Sequence, residues 1–372
     1  DFCLSRGLGD VYKRQLATGA QERPFPIPGW TLPGVMTAGA AQIALKCSGL
    51  IPDGRVVLAG TGPLLYLLAS QLHAAGARIA ALLDTTPRRN LAAALPALPA
   101  FLASAYLAKG LSLLARARRA LDIVSGVTAL CAGGESRLSR IVYERAGREA
   151  RIDCDLLLLH QGVVPGVNLA GATGCALDWD DGQLAFRPRL DGWLMSSVPG
   201  VAVAGDGGGI AGAESAVFTG RLVAFGAAAR LGRIDAARRD REAVELRGAL
   251  ARLARGRRFL DLLYRPARQF RVPADGATVV CRCEEVTAQK IRETAALGAP
   301  GPNQMKAFTR CGMGPCQGRL CGLTVTEMIA EARGVSPAEV GYYRLRPPVK
   351  PVTLAEIAAM PRTPEADRAV AR

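Results

Sequence analysis

The sequence predicts an α/β protein with two Rossmann-like dinucleotide-binding units, followed by a small helical unit that gathers cysteines. Three observations carry this expectation. Residues 55–84 run strand, glycine turn, helix, strand, acid. A second apolar strand ends in Gly205-Asp206 ahead of a helical stretch. Near the C-terminus, Cys281-Arg-Cys283 is followed by "TRCGMGPCQGRLCG", with Cys311, Cys316 and Cys321 spaced five apart.

Composition bounds the reading. A chain of 372 residues is long enough for two or three domains with real cores. The net charge of +15 raises the question of nucleic acid. Much of the arginine lies between Arg230 and Arg271, interleaved with acids and with apolar residues at helical spacing. No aromatic residues alternate with these arginines as a base-stacking platform requires, so a solvated helical face or a subunit contact is expected and nucleic acid is not. No run of about 20 uncharged apolar residues is present to span a membrane. The nearest, Ala100 to Leu114, is interrupted by Lys109 and reads as a helical hairpin or interface helix.

The opening, DFCLSRGLGDVYKRQ, follows no periodic pattern and has no apolar signal-peptide core. It resembles translated adapter sequence, so residues 1–15 are expected to be foreign and the native protein to be truncated at its N-terminus. A cytoplasmic location, or one peripheral to the inner membrane, is expected. In a reducing compartment, ten cysteines favour metal or redox use over disulfides.

Arg55 to Gly60 reads as a buried parallel strand, Gly60-Thr-Gly62 as its turn, and LLYLLASQLHAAG as a helix closed by Gly76. The next strand, Ala77 to Leu83, ends at Asp84, 22 positions after Gly62. In such a unit the glycines let backbone approach a pyrophosphate, the helix N-terminus favours its charge, and the acid bonds an adenosine ribose. Gly60, Gly62 and Asp84 are therefore candidate ligands of NAD(P) or another adenine nucleotide. Pro63 and Leu65 depart from the full fingerprint, which leaves open a structural unit that has lost nicotinamide binding. Residues 85–121 form an Ala/Leu/Arg-rich helical insertion, and strands resume at 123–130, 138–144 and 154–162. VAVAGD then places Asp206 at a strand end before a helix, where a carboxylate suits a flavin hydroxyl or simply caps the turn.

Leu16-Ala17-Thr18-Gly19-Ala20, then Pro33-Gly-Val-Met-Thr, the Rossmann unit, and Gly205-Asp206 follow an order that resembles the two-dinucleotide-binding-domain flavoproteins. The resemblance spans about residues 16–229. It implies an FAD domain interrupted by an NAD(P)-type domain, with Ala17, Thr18, Gly19, Gly205 and Asp206 at FAD. With the cysteine domain, which resembles a [2Fe–2S]-binding unit, the fold expected is two Rossmann-like domains plus a small helical [2Fe–2S]-binding domain. Its parts are 1–15, non-native sequence; 16–50, the incomplete first part of the FAD-binding domain; 51–163, the inserted domain; 164–229, the second FAD part; 230–275, a basic helical linker; 276–335, the cysteine domain; and 336–372, a tail.

Cys283 and Cys316 are separated by the 32 residues from Glu284 to Pro315. Thr287 is placed to cap the following short helix and Gly298 to stop it. Pro315 is placed to start a helix over 320–332, bringing Cys316 near its N-terminus. This layout resembles the bacterioferritin-associated ferredoxin-like [2Fe–2S] domain. Zinc and disulfides are the alternatives, although zinc pairs are more often C-x2-4-C than CxC. The resemblance implies Cys281, Cys283, Cys316 and Cys321 as ligands and leaves Cys311 as a neighbour at the mouth of the loop. Lys306, Arg310 and Arg319 are candidates to balance the charge. Cys47, Cys131, Cys154 and Cys175 read as filler.

With its tail Tyr342-Tyr-Arg-Leu-Arg-Pro-Pro, the chain resembles the α (A) subunits of opine oxidase and hydrogen cyanide synthase-type FAD-dependent amino- or imino-acid dehydrogenases. The resemblance implies an electron-transfer subunit carrying FAD and a [2Fe–2S] cluster. Substrate oxidation would occur in a separate FAD-dependent β subunit of amine-oxidase type, and an electron acceptor protein or quinone would receive the electrons. No catalytic residue is assigned: His73 and His160, the only histidines, show no partner in the sequence. The alternatives are a self-contained NAD(P)H-dependent FAD/iron–sulfur reductase and a nonenzymatic docking module.

Overall fold

The structure, a computed structural model, describes residues 14–359. The foreign opening expected from the sequence lies outside the described residues as far as residue 13. Arg14 and Gln15 do not stand apart: with Leu16 they form β1 (Arg14–Leu16), paired in parallel with Val201–Val203.

After β2 (Ala20–Glu22), the short β3 (Val35–Thr37) leads into α1 (Ala38–Ser48). Thr37 caps that helix by accepting the Ala40 N–H. β4 (Arg55–Thr61), α2 (Pro63–Ala74) and β5 (Arg78–Asp84) are the expected strand–turn–helix–strand unit. The insertion folds as α3 (Arg89–Ala94), α4 (Leu98–Leu102) and α5 (Ala105–Ala120). β6 (Ile123–Ser125) follows, then an antiparallel sheet of β7 (Val127–Gly133), β8 (Arg140–Arg145) and β9 (Arg148–Asp153).

β10 (Leu156–Gln161) returns to complete a parallel sheet of order β3-β10-β4-β5-β6. Val56, Val57, Leu58, Leu157 and Leu158 are fully buried, which is why β4 and β10 read as unbroken apolar runs: both sheet faces are covered. β3 pairs with β10, so residues 35–48 sit with the inserted unit, not with the first FAD segment to which the sequence pattern assigns them. Three residues of strand carry too little pattern to show this.

β11 (Val163–Pro165) pairs antiparallel with β2, α6 (Asn168–Ala172) follows, and β12 (Leu177–Asp180) and β13 (Ala185–Pro188) form a hairpin. β14 (Val201–Val203) closes on β1 and leads to α7 (Ala213–Arg230). α8 (Ala236–Ala254) and α9 (Arg257–Leu263) occupy the basic stretch. It is more than a linker: Ala243, Leu246 and Ala249 of α8 are buried, with Leu246 packed with Leu222 of α7, and Arg239 and Arg247 lie over Trp193 at 4.4 and 4.9 Å.

The last unit contains β15 (Val279–Cys281), β16 (Val286–Thr287), α10 (Ala288–Ala296), α11 (Pro302–Thr309), α12 (Gly322–Arg333) and α13 (Pro337–Val340), with α14 (Leu354–Ala358) beyond. Thr287 caps α10 as expected, accepting from Lys290 N. The unit's core is packed around three of its own cysteines, Cys281, Cys311 and Cys321. Trp30 donates to Val279 O at 2.6 Å, and the partly buried Arg271 is paired with the buried Glu327 on α12; both ties bind this unit to the rest of the fold.

Candidate functional site

Cys281 ends β15 and Cys283 lies in the tight β15–β16 connection. From the other side, α11 stops at Arg310, which is left-handed at φ +62°, and the chain turns through 311–321 before α12. The Sγ atoms of Cys281, Cys311 and Cys321 lie within 4.8 Å of one another, and all three residues are buried. Cys283 is in hydrogen-bond contact with the thiol and backbone N–H of Cys316. Five thiols therefore stand as a buried trio and a more open pair.

The sequence pattern sets Cys311 aside at the loop mouth; the structure instead places it inside the trio. The cause is the left-handed pair Arg310 and Gly312, at φ +62° and +85°, which turns the Cys311 side chain inward. The helix expected from residue 320 begins at Gly322, so Cys321, not Cys316, occupies the N-terminal cap position, where a thiolate is favoured by the helix dipole.

Hydrogen bonds from Cys311 and Cys321, with the backbone N–H groups of Gly312 and Glu284, hold the Cys281 thiol down to about 2. The proton-sharing partners move the other way. Cys311 is pushed up to about 12, first by its bond to Cys281, and Cys321 is raised for the same reason. Three close sulfurs thus share one negative charge until a cation allows more of them to ionise.

Two tyrosines cover this loop. An added Cβ on Gly312 or Gly318 would fall 2.5 or 2.7 Å from the Tyr343 ring, and one on Gly322 would fall 2.4 Å from the Tyr342 hydroxyl. The Tyr343 hydroxyl donates to Cys311 O at 3.0 Å. Gly314 is pressed against Cys283, where a Cβ would lie 2.3 Å from the cysteine Cβ. Arg310 is engaged by Glu284 at 3.0 Å, Arg319 donates to Val349 O, and Lys306 lies 5.8 Å from the Tyr343 ring centroid.

The dinucleotide turn keeps its shape but uses its groups internally. A Cβ on Gly60 would sit 1.6 Å from His160 O, so this glycine serves strand packing. Gly62, at φ +108°, lets the chain enter α2 with Pro63 in its first turn. Asp84 ends β5 as expected, but both of its oxygens are taken. Tyr66 donates to Oδ2 at 2.8 Å, while Thr86 donates through N and Oγ1 to Oδ1 at 2.9 and 2.6 Å. Burial and the adjacent carboxylate push the Tyr66 hydroxyl far above its ordinary range.

Ala17, Thr18 and Gly19 are brought to Gly205 and Asp206 by the β1–β14 pairing. A Cβ on Gly207 would meet Thr18 Oγ1 at 2.6 Å. Asp206 Oδ1 accepts from Ala211 and Gly212, both at 2.8 Å, and so closes the turn ahead of α7. A cavity of about 260 Å³ opens beside it, with Gly205, Gly208, Arg187 and Ser215 among its walls.

One pair escapes the sequence pattern. His160, 3% exposed at the end of β10, is bonded through Nδ1 to Glu22, 2.9 Å from Oε2. Glu22 also accepts the Gly39 N–H at 2.6 Å. A separation of 138 residues hides the pair from the sequence. It lines a cavity of about 490 Å³ that also touches Gln42, Leu64, Cys316 and Arg319, so the cysteine loop and the C-terminal ends of the sheet strands share one space.

Residues 275–361 match the family model described as the sarcosine oxidase A3 domain. The chain is 53% identical over 357 residues to the opine oxidase A protein of Agrobacterium tumefaciens (strain Ach5), covering 95% of this chain and 71% of the relative. It is 34% identical over 350 residues to the HcnB subunit of hydrogen cyanide synthase from Pseudomonas protegens, covering 91% and 73%. It is 30% identical to the alpha subunit of sarcosine oxidase from Rhizobium meliloti (strain 1021), covering 92% of this chain but 30% of that relative. Among solved structures, L-proline dehydrogenase from P. horikoshii has the same fold, with a TM-score of 0.64 at 18% identity over 92% of this chain and 57% of that one. This chain belongs to the family of the opine oxidase A proteins.

Proposed function

We propose that the chain is the electron-transfer subunit of a hetero-oligomeric flavin oxidoreductase whose substrate is a CH–NH donor, namely an amino acid, imino acid or opine. Substrate oxidation belongs to an FAD-dependent β subunit. The observation that carries this reading is the grouping of five thiols, one of which, Cys316, lines a cavity shared with Leu64 and Leu68 of α2 and His160 of β10. Four thiolates suit a [2Fe–2S] cluster, and this reading takes Cys281 and Cys321 from the buried trio and Cys283 and Cys316 from the open pair. Cys311 then serves as a buried thiol donor to the first pair. Such a cluster passes single electrons.

This chain's residues hold and insulate that centre. The tyrosines and small residues around the loop exclude water, and the Gly312 and Glu284 N–H groups favour thiolate at Cys281. Thr18, Gly205 and Gly208 bring backbone close to the smaller cavity, and the N-terminus of α7 would favour an FAD phosphate there. His160, held by Glu22, stands with that carboxylate in the wall of the larger cavity.

A second reading has one specific observation behind it: the trio Cys281, Cys311 and Cys321 also suits a single tetrahedral ion such as zinc. The NAD(P)H-reductase reading is less well supported, because Asp84 is bonded to Tyr66 and Thr86 and would have to exchange both to meet a ribose. Anaerobic visible spectroscopy of the full-length chain tests the proposal. Flavin and [2Fe–2S] bands should coexist, and NADH should leave them unbleached while substrate with the β subunit bleaches them. Rapid bleaching by NADH alone would establish the reductase reading instead.

A further inference from the structure

The insertion α3–α5 presents a surface that the electron-transfer reading does not use. From residue 85 to residue 121 there is no Asp or Glu, and six cations, Arg88, Arg89, Lys109, Arg116, Arg118 and Arg119, are present. Residues 90–108 carry no charged side chain. α3 and α4 form one limb, bent by 115° from α5. Asn90, Ala94 and Phe101 face inward on that limb: Asn90 donates to Leu263 O and Arg265 O, and Phe101 stacks on Phe259 at 4.3 Å. Leu91, Leu95 and Leu102, at i, i+4 and i+11, share a second face and are 54, 52 and 54% exposed. Leu111 on α5 is 61% exposed.

A soluble helix needs only one apolar face, and this limb has two. Arg88 and Arg89 stand at its start and make no ion pair among the described residues, while Lys109 lies 3.8 Å from the exposed Glu214. Exposed leucine and flanking cations, with no acid within residues 85–121, are the chemistry of an anionic bilayer surface. A protein partner fits less well, since the centres of such interfaces favour Trp, Tyr and Arg over Leu. No single helix among the described residues is long and apolar enough to cross a membrane, and this limb and α5 have the length and composition only together, across the 115° bend, so the contact inferred is with the surface.

We propose that the Leu91/Leu95/Leu102 face and its flanking arginines seat the chain on the surface of an anionic phospholipid membrane. This inference does not depend on which cofactors the chain holds. The test is flotation of the full chain with vesicles of phosphatidylglycerol and phosphatidylcholine, and with phosphatidylcholine alone. The wild type should float with the mixed vesicles. The Leu91→Gln/Leu95→Gln/Leu102→Gln variant should lose binding by on the order of 100-fold with unchanged far-ultraviolet circular dichroism, since each of these side chains already has half its surface in solvent. Arg88→Gln/Arg89→Gln should lose roughly 25-fold on the mixed vesicles and nothing on neutral ones. Failure of the wild type to float, wild-type flotation by the leucine variant, or shielding of this face by a partner protein without vesicle binding would each overturn the proposal.

Discussion

Gly314→Ala isolates the role of Cys283. Gly314 does not have a left-handed backbone, so alanine brings no conformational penalty of its own. Its Cβ would, however, stand 2.3 Å from Cys283 Cβ and 3.3 Å from its Sγ. Ordinary carbon contacts lie at about 3.5–4.0 Å, so Cys283 must withdraw by roughly 1.2 Å or more. Metal–thiolate bonds tolerate about 0.2 Å, several times less. Overpacking of this kind costs about 1–3 kcal/mol of stability, which a chain with these cores survives. The expected result is a folded protein whose iron affinity falls by about 10- to 100-fold. Iron and acid-labile sulfide per chain, measured after anaerobic purification beside a thermal unfolding midpoint, give the answer. Wild-type iron in folded Gly314→Ala would refute the reasoning that Cys283 is a ligand.

Other perturbations separate the remaining claims. Cys316→Ala should abolish the cluster, whereas Cys311→Ala should retain it with an altered visible spectrum; loss of all iron in Cys311→Ala would transfer ligand status to that residue. Arg271→Met leaves Glu327 buried without its cation and should destabilise by about 3–5 kcal/mol, while Arg271→Met/Glu327→Leu should recover most of that loss, as read by urea unfolding. Tyr66→Phe releases one Asp84 oxygen; NADH should still fail to bind by calorimetry, because Thr86 retains the other. Glu22→Gln should disorder the His160 ring and broaden its NMR resonances without lowering iron content, since neither residue is a ligand.

The legible parts of the molecule were those with local pattern. β4, α2 and β5 declared themselves by an apolar run, a glycine turn and a terminal acid, and β10 by its unbroken leucines. Gly205-Asp206 and the CxC motif were equally plain. What was hidden depended on contacts between distant residues or on unusual backbone. β3 is three residues long and gains its identity only by pairing with β10. Asp84 is where the pattern put it, yet its availability is decided by Tyr66 from α2. The place of Cys311 follows from the left-handed pair on either side of it, Gly312 and the non-glycine Arg310, the latter against the usual preference. His160 looked solitary because its carboxylate stands 138 residues away.

The stoichiometry of the metal centre tests the central claim most directly. The full-length chain, purified anaerobically with its partner, should contain about two irons and two acid-labile sulfides per cysteine domain, and lose both on Cys281→Ala. One zinc without sulfide, retained in Cys283→Ala and lost in Cys311→Ala, would contradict the account and assign the site to the buried trio.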